Sequence, residues 1–394
     1  MSGEHAAPPA GRRRPPRLAL VRRRWVPDGG GERFTALLAD SLARAGCAVT
    51  IVSARWDEPA GPVAHRRVPT LERGGELVSL LSFTVNAARH LRRERYDLVQ
   101  SHAKLFWQDV YRAGDGCHRE WLRMRAEHRA TPLAHRRRRS SVDRLVLFLE
   151  RTLLTRRRYR LIVAISARVR ADLIRHYGVP AEHIRVVYNG VDTRRFHPAI
   201  RQRRREAARR RLEIPAGALV ALFMGTGFER KGLAYLLRAL PAAGEKVWLA
   251  VAGRDAGADG YRALARTLGV DGRVRFLGPV ARPELAYAAA DALVLPTIYE
   301  PFSNACLEAL ASGLPVVTTR AAGVSELLNG PLDSLTLASA GDHAALAERL
   351  HRLRDPHERR VLGAEARAVA EARSLETMAG EFLEVYRTLG LAQG

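Results

Sequence analysis

The chain has 394 residues, 47% of them hydrophobic, and a formal net charge of +24. That length is too great for one ordinary core and predicts two domains, while no apolar run reaches the roughly 20 residues that cross a bilayer. Cys47, Cys117 and Cys306 are odd in number and widely spaced, with no CxxC pair, which argues against a disulfide framework or a zinc site.

Residues 1–16 carry Pro, Gly and Arg with little to bury and are expected to form a disordered basic tail. No apolar core follows them as in a secretory signal, so a cytoplasmic protein is expected. The charge is one-sided. Residues 1–200 hold 39 Lys and Arg against 19 Asp and Glu, a net of +20, whereas residues 201–394 hold 26 against 22. A basic first half predicts an anionic partner such as phospholipid, phosphorylated glycan or nucleic acid.

Leu18–Val21 reads as a first strand. Phe34, Leu37, Leu38, Leu42 and Ala45 follow at helical spacing, and Val49–Val52 is the second strand. The loop between strand and helix contains Gly29, Gly30 and Gly31. It can bring backbone close to a phosphate or sugar, although a plain tight turn uses the same residues. Leu77 to Arg95 predicts an amphipathic helix, and Asp97–His102 a strand that ends in polar residues. His102 therefore stands where α/β enzymes place working groups, a position a surface histidine can also hold. Residues 103–140 interleave Asp109, Asp115 and His118 with Trp107, Tyr111 and Trp121, too irregularly for a simple helical face. Val142 to Leu154 predicts a helix with an apolar stripe (Leu145, Phe148, Leu149, Thr152, Leu153) between arginine clusters at 136–139 and 156–160. Such a helix can pack in the domain while its charged ends meet lipid head groups. Leu161–Ser166 is a buried strand, Ser166 a candidate cap and Gly178 the stop of the next helix. After the strand and turn of Ile184–Asp192, the arginine-rich stretch Arg201–Arg211 is expected to form a solvated helix leading into a second domain.

Leu219–Met224 predicts a strand, followed by a glycine loop that ends in Arg230 and Lys231. The glycine spacing is not that of a Walker loop, but two cations there can balance a diphosphate. Strands at Val247–Gly253 and Val274–Gly278 follow. The most informative stretch is 291–326, DALVLPTIYEPFSNACLEALASGLPVVTTRAAGVSE. It reads as strand, polar loop, helix and strand. Phe302, Ser303 and Asn304 offer backbone N–H groups at a helix start, where phosphate is attracted. Glu308, two turns along, can take ribose hydroxyls, and Glu300 faces whatever lies beyond the second phosphate. Two helical segments are expected to close the chain, the last with a stripe of Phe382, Val385, Tyr386 and Leu389.

The pattern Glu-x7-Glu, then Ala-x-Gly-x-Pro-Val-Val-x-Thr, then Gly-x-x-Glu, resembles the nucleotide-sugar site of family 4 retaining glycosyltransferases. Asn189-Gly-Val-Asp192 with Phe196 and Pro198 resembles another signature of that family. DVYRAGDGCHREW resembles the acceptor-side segment of its lipopolysaccharide core glucosyltransferases. The resemblance covers most of the chain and implies an α/β GT-B fold, two Rossmann-like domains facing across a cleft. It divides the chain into the tail 1–16, an acceptor domain 17–192, a donor domain 193–378 and a terminal helix 379–394 returning to the first domain. It assigns Glu300, His102, Lys231 and Arg230 to catalysis. Glu308, Phe302, Ser303, Asn304, Gly29–Gly31, Arg254 and Leu277 fall to the donor, and Asp109, Asp115 and His118 to the acceptor. Many members carry an arginine where this chain has Gly225, so Arg230 is expected to substitute.

With no Asp-x-Asp pair to hold a divalent ion, the expectation is a metal-independent transferase without cofactor. It would move a hexose, glucose first, from a UDP-sugar to a lipid-anchored saccharide such as a heptose of the lipopolysaccharide core, at the inner membrane face. Another glycolipid or polysaccharide acceptor, an epimerase on the same fold, and a non-enzymatic membrane- or nucleic-acid-binding protein stay open. The last leaves the Glu-x7-Glu stretch unexplained, and no nucleic-acid partner is expected.

Overall fold

The computed structural model describes residues 14–23, 30–55, 63–128 and 140–391. Most of the expected basic tail, Gly29 and the arginine run 136–139 lie outside these residues. Two parallel sheets organise the molecule. The first contains β1 (Arg17–Val21), β2 (Ala48–Ser53), β3 (Ala64–Arg67), β4 (Leu98–Ser101), β5 (Val110–Ala113), β6 (Leu161–Ala164) and β7 (Ile184–Val186). Its order is β3-β2-β1-β4-β5-β6-β7. The second contains β8 (Leu219–Met224), β9 (Val247–Ala252), β10 (Val274–Gly278), β11 (Ala292–Leu295), β12 (Val316–Thr319) and β13 (Thr336–Leu337), in the order β10-β9-β8-β11-β12-β13. Strands covered on both faces read as continuous apolar runs, and all six residues of β8, LVALFM, are buried. In each sheet the order reverses beside the first strand, between β1 and β4 and between β8 and β11. Open α/β sheets bind ligands at that reversal, outside the strand carboxyl ends.

The first sheet carries α1 (Gly30–Arg44), α2 (Gly75–Arg93), α3 (His118–Glu127), α4 (Ser141–Thr155) and α5 (Ala167–Tyr177). Ser166 caps α5 by accepting from the Val169 N–H, and Gly178 ends it at φ 62°, as the sequence predicts. The stretch read as irregular, 103–128, in fact supplies β5 and α3. Four buried residues suffice for β5, and its pattern is too short to register as periodicity. In α4 only part of the predicted stripe is core: Leu149 and Leu153 are buried, whereas Phe148 is 58% exposed.

The remaining helices are α6 (Pro198–Arg211), α7 (Phe228–Lys231), α8 (Leu233–Ala243), α9 (Ala258–Thr267), α10 (Pro283–Ala289), α11 (Asn304–Ala311), α12 (His343–Arg352), α13 (Pro356–Glu371) and α14 (Leu375–Thr388). Three helices, not two, close the chain. The arginine-rich α6 is not simply solvated. Arg201, Arg205 and Arg209, at i, i+4 and i+8, share one face, which turns toward the Ala290 carbonyl and Asp291. Asp291 also accepts the Val220 N–H of β8 at 2.8 Å, so one buried carboxylate ties α6 to the second sheet. The last helix, α14, packs on the first domain. Met378, Phe382, Val385 and Tyr386 join Leu18, Leu20 and Leu38 in one core, and the Tyr386 hydroxyl donates to Gln100 Oε1 at 2.9 Å.

Candidate active site

A cleft of 720 Å³ lies between the two sheets. On the second-domain side the chain leaves β8 through Gly225, at φ 137°. A Cβ there would sit 2.4 Å from Lys231 Cε, so the missing side chain is what lets the lysine stem lie flat across the loop. The resemblance expects an arginine at this position in many relatives, and any side chain here would require the lysine stem to shift. One turn of helix, α7, then delivers Arg230 and Lys231. Lys231 Nζ donates to Glu300 Oε2 at 2.8 Å, and Arg230 Nη1 lies 3.0 Å from the same oxygen. Burial disfavours charge on Glu300, but Arg230 and then Lys231 hold its carboxyl below the usual carboxylate range. The Glu300 backbone is pinned as well, its N–H to the Ala321 carbonyl and its carbonyl to the Gly323 N–H.

The loop from Thr297 leads into α11. Ser303 has φ 112°, unusual for a residue with a side chain, and its Oγ accepts the Cys306 N–H. Phe302, Ser303, Asn304 and Ala305 border the cleft at this helix start. Glu308 borders it two turns along, its Oε2 accepting the Tyr287 hydroxyl at 2.9 Å. Arg254 lines the cleft after β9, but Leu277 does not; Pro279 and Val280 line that part of the wall.

Arg22, Arg112, Asp115, His118, Trp121 and Asn189 border the cleft on the first-domain side. Arg112 is buried, and burial, with Arg22 nearby, lowers its pKa to about 9. The Asn189 side-chain amide donates to Asn304 Oδ1 at 2.6 Å, bridging the domains. Further bridges hold the loop around Glu300. The Cys117 N–H donates to the Tyr299 hydroxyl at 2.9 Å, and Ser166 Oγ donates to the Pro301 carbonyl at 2.8 Å. Glu326, which ends the Gly-x-x-Glu motif, accepts the Ala167 and Arg168 N–H groups at the start of α5 and the Tyr188 hydroxyl. It is an interdomain cap and does not line the cleft.

Of the residues singled out in the sequence, Glu300, Lys231, Arg230, Glu308, Phe302, Ser303, Asn304, Arg254, Asp115 and His118 meet around this cleft. His102 does not line it. That side chain is buried, with Nδ1 3.1 Å from Thr35 Oγ1 and Nε2 3.0 Å from the Gln100 amide. Burial, then Arg112 and Arg22, push its imidazole well below its ordinary value, so it is neutral. Asp109 is also away from the cleft, its Oδ2 accepting the Val99 N–H of the neighbouring strand at 2.8 Å. Gly30 and Gly31 are the first two residues of α1. Arg22, Arg112, Asn189 and Tyr299 were not singled out. Asn189 carried a signal in its Asn-Gly-Val-Asp signature, and Arg112 and Tyr299 fall inside the motif stretches 109–121 and 291–326; Arg22 carried none.

Residues 28–195 match the model of Glycosyltransferase Family 4, and residues 218–355 match that of Glycosyl transferases group 1. A D-inositol 3-phosphate glycosyltransferase of Kineococcus radiotolerans is 30% identical over 407 residues, covering 91% of this chain and 90% of the relative. Its counterpart in Streptomyces scabiei is 35% identical over 57% of this chain, and the chain spans about half the length of that relative, 53%. Among solved structures, WaaG, a glycosyltransferase involved in lipopolysaccharide biosynthesis, superposes with a TM-score of 0.79 at 24% identity, covering 93% of this chain and 99% of WaaG. Anabaena HepE in complex with UDP-glucose gives 0.71 at 20% identity, covering 94% and 99%. Two facing parallel-sheet domains, matched in turn by these two family models, and a relative aligned along nine tenths of the sequence place the chain in family 4 of the GT-B glycosyltransferases.

Proposed function

We propose that this glycosyltransferase moves a hexose, glucose first, from a UDP-sugar to a lipid-anchored saccharide, with retention at the anomeric carbon and without a metal ion. The observation that carries this reading is the meeting of Lys231 and Arg230 on Glu300, beside the start of α11, with Glu308 on the same helix. A diphosphate seated there gains the α11 amides and two cations, and Glu308 is placed for ribose hydroxyls. As the sugar–phosphate bond breaks, charge grows on the leaving diphosphate, and cations already fixed at that place stabilise it. Releasing the cations to phosphate frees the Glu300 carboxylate to face the sugar. HepE, of the same fold, is described with UDP and with UDP-glucose, which supports the donor.

The acceptor reading rests on the basic first domain and on α4, where exposed Phe148 stands between Arg144 and Arg151, a face suited to an anionic bilayer. Among the described residues no helix is long and apolar enough to cross a membrane. A second reading, a soluble polyol phosphate as acceptor, is favoured by the Kineococcus relative.

The deciding experiment is thermal stability with UDP-, GDP- and ADP-sugars in the presence of a chelator. A ligand at 100 times its Kd adds about 2.7 kcal/mol. The expected result is a shift with one UDP-sugar that Lys231→Ala abolishes. Calorimetry showing no binding of any nucleotide sugar overturns the donor reading.

A further inference from the structure

His118 opens α3 and lines the cleft on the first-domain side, 19% exposed. Its Nε2 lies 3.1 Å from Asp143 Oδ1 on α4. Asp143 also accepts the Ser140 N–H in a capping box. Burial alone would raise the Asp143 pKa, but these bonds hold it below the usual carboxylate range, so it is ionised. A carboxylate accepts only, so the proton of a neutral His118 sits on Nε2 and the lone pair on Nδ1. Among the described residues Nδ1 has no hydrogen-bond partner. The backbone fixes the ring's origin equally firmly, since Glu150 of α4 accepts the His118 and Arg119 N–H groups at 3.0 and 3.2 Å. Burial and Lys104 lower the His118 pKa against the opposing effects of Glu150 and Asp143. Trp121, one turn along the same helix face, lines the cleft beside it.

From this oriented imidazole we infer that His118, positioned by Asp143, recognises an acceptor hydroxyl through a hydrogen bond to Nδ1, with Trp121 as the apolar wall for a neutral pyranose ring. The inference rests on the glycosyl-transfer reading and adds which ring nitrogen meets the acceptor hydroxyl and what orients it. A site built to accept one hydroxyl proton discriminates strongly against an analogue that lacks it.

Two measurements on the full chain test it. Nitrogen NMR of histidine-labelled protein at pH 7.5 is expected to show His118 neutral with its proton on Nε2; the other tautomer, or a charged ring, overturns the proposal. In the second, UDP-glucose is the donor and methyl α-D-mannopyranoside the probe acceptor. His118→Gln is expected to raise the KM for the mannoside at least tenfold while leaving the Kd for UDP and the melting temperature unchanged. The acid limb of wild-type kcat/KM, set by protonation of His118, is expected to vanish in the variant. Transfer that is indifferent to His118→Gln, or no transfer to the mannoside with donor bound, overturns the acceptor assignment. Loss of UDP affinity in the variant overturns it as well, by moving His118 to the donor side. If UDP-glucose itself does not bind the wild type, the donor reading fails instead, and the tautomer still decides the geometry.

Discussion

Glu300 and its two cations form a buried cluster whose members depend on one another. Replacing one partner of such a cluster costs about 3–5 kcal/mol, because a charge is left without its counterpart. Glu300→Gln keeps the shape and removes the charge. It is therefore expected to fold, to melt earlier than wild type by about 3 kcal/mol, and to recover most of that loss when UDP neutralises Lys231 and Arg230. Turnover should fall about 100-fold or more, as when a group aimed at developing charge is removed. Scanning calorimetry with and without UDP, alongside steady-state rates, checks both halves; wild-type turnover in this variant would refute the role given to Glu300. These residues were legible in the sequence because the chemistry is local: an eight-residue step along one loop and helix brings Glu300 and Glu308 to one cleft. His102 and Asp109 were not placed correctly relative to that cleft, because a residue near a strand end can turn into the layer beneath. Thr35 and Gln100 hold the first there, and the Val99 amide holds the second.

At the scale of elements, α6 shows a signal present in the sequence and read only as charge. Arginines at 201, 205 and 209 mark one helical face, and the face is internal because Asp291 stands at its centre. Arg359 of α13 also reaches this carboxylate, at 3.6 Å. Burial alone would raise the Asp291 pKa, but Arg205 and Arg209 lower it below the usual value. The folded-state pKa is thus depressed. Its stabilisation is complete above the unfolded value of about 3.9 and is lost as pH falls through the lower folded value. Asp291→Asn is expected to destabilise the second domain by about 3 kcal/mol at pH 7, with a difference from wild type that shrinks toward pH 2. Urea titrations across that range measure it. β5 and α3 were illegible for a different reason: a four-residue buried strand carries no period, and its neighbours Gly114 and Gly116 break the pattern.

At the scale of the molecule, the donor loop is held by both domains. Tyr299 and Pro301 flank Glu300, and each is bonded to the first domain, while Glu326 caps α5 from the second. Gly116 permits this approach, since a Cβ there would lie 2.5 Å from the Tyr299 hydroxyl. Opening of the cleft must therefore break contacts on either side of Glu300, which couples domain closure to the site. Tyr299→Phe removes two hydrogen bonds, one accepted from the Cys117 N–H and one donated to Asp172 at 3.4 Å, together worth about 1–3 kcal/mol. It is expected to lower kcat several-fold with little change in donor Kd, and small-angle scattering should show a more open average shape. Unchanged kcat with unchanged scattering would remove Tyr299 from that coupling.

The return of α14 to the first domain also bears on how the protein is made. The last strand of the first sheet ends at Val186, yet Phe382 and Tyr386, which close its core, are translated roughly 200 residues later. At about 5–20 residues per second that interval is on the order of ten to forty seconds. Throughout it, the apolar surface around Leu18, Leu20 and Leu38 emerges from the ribosome without the helix that will cover it. The core of the first domain is thus completed only after its partner domain has been synthesised.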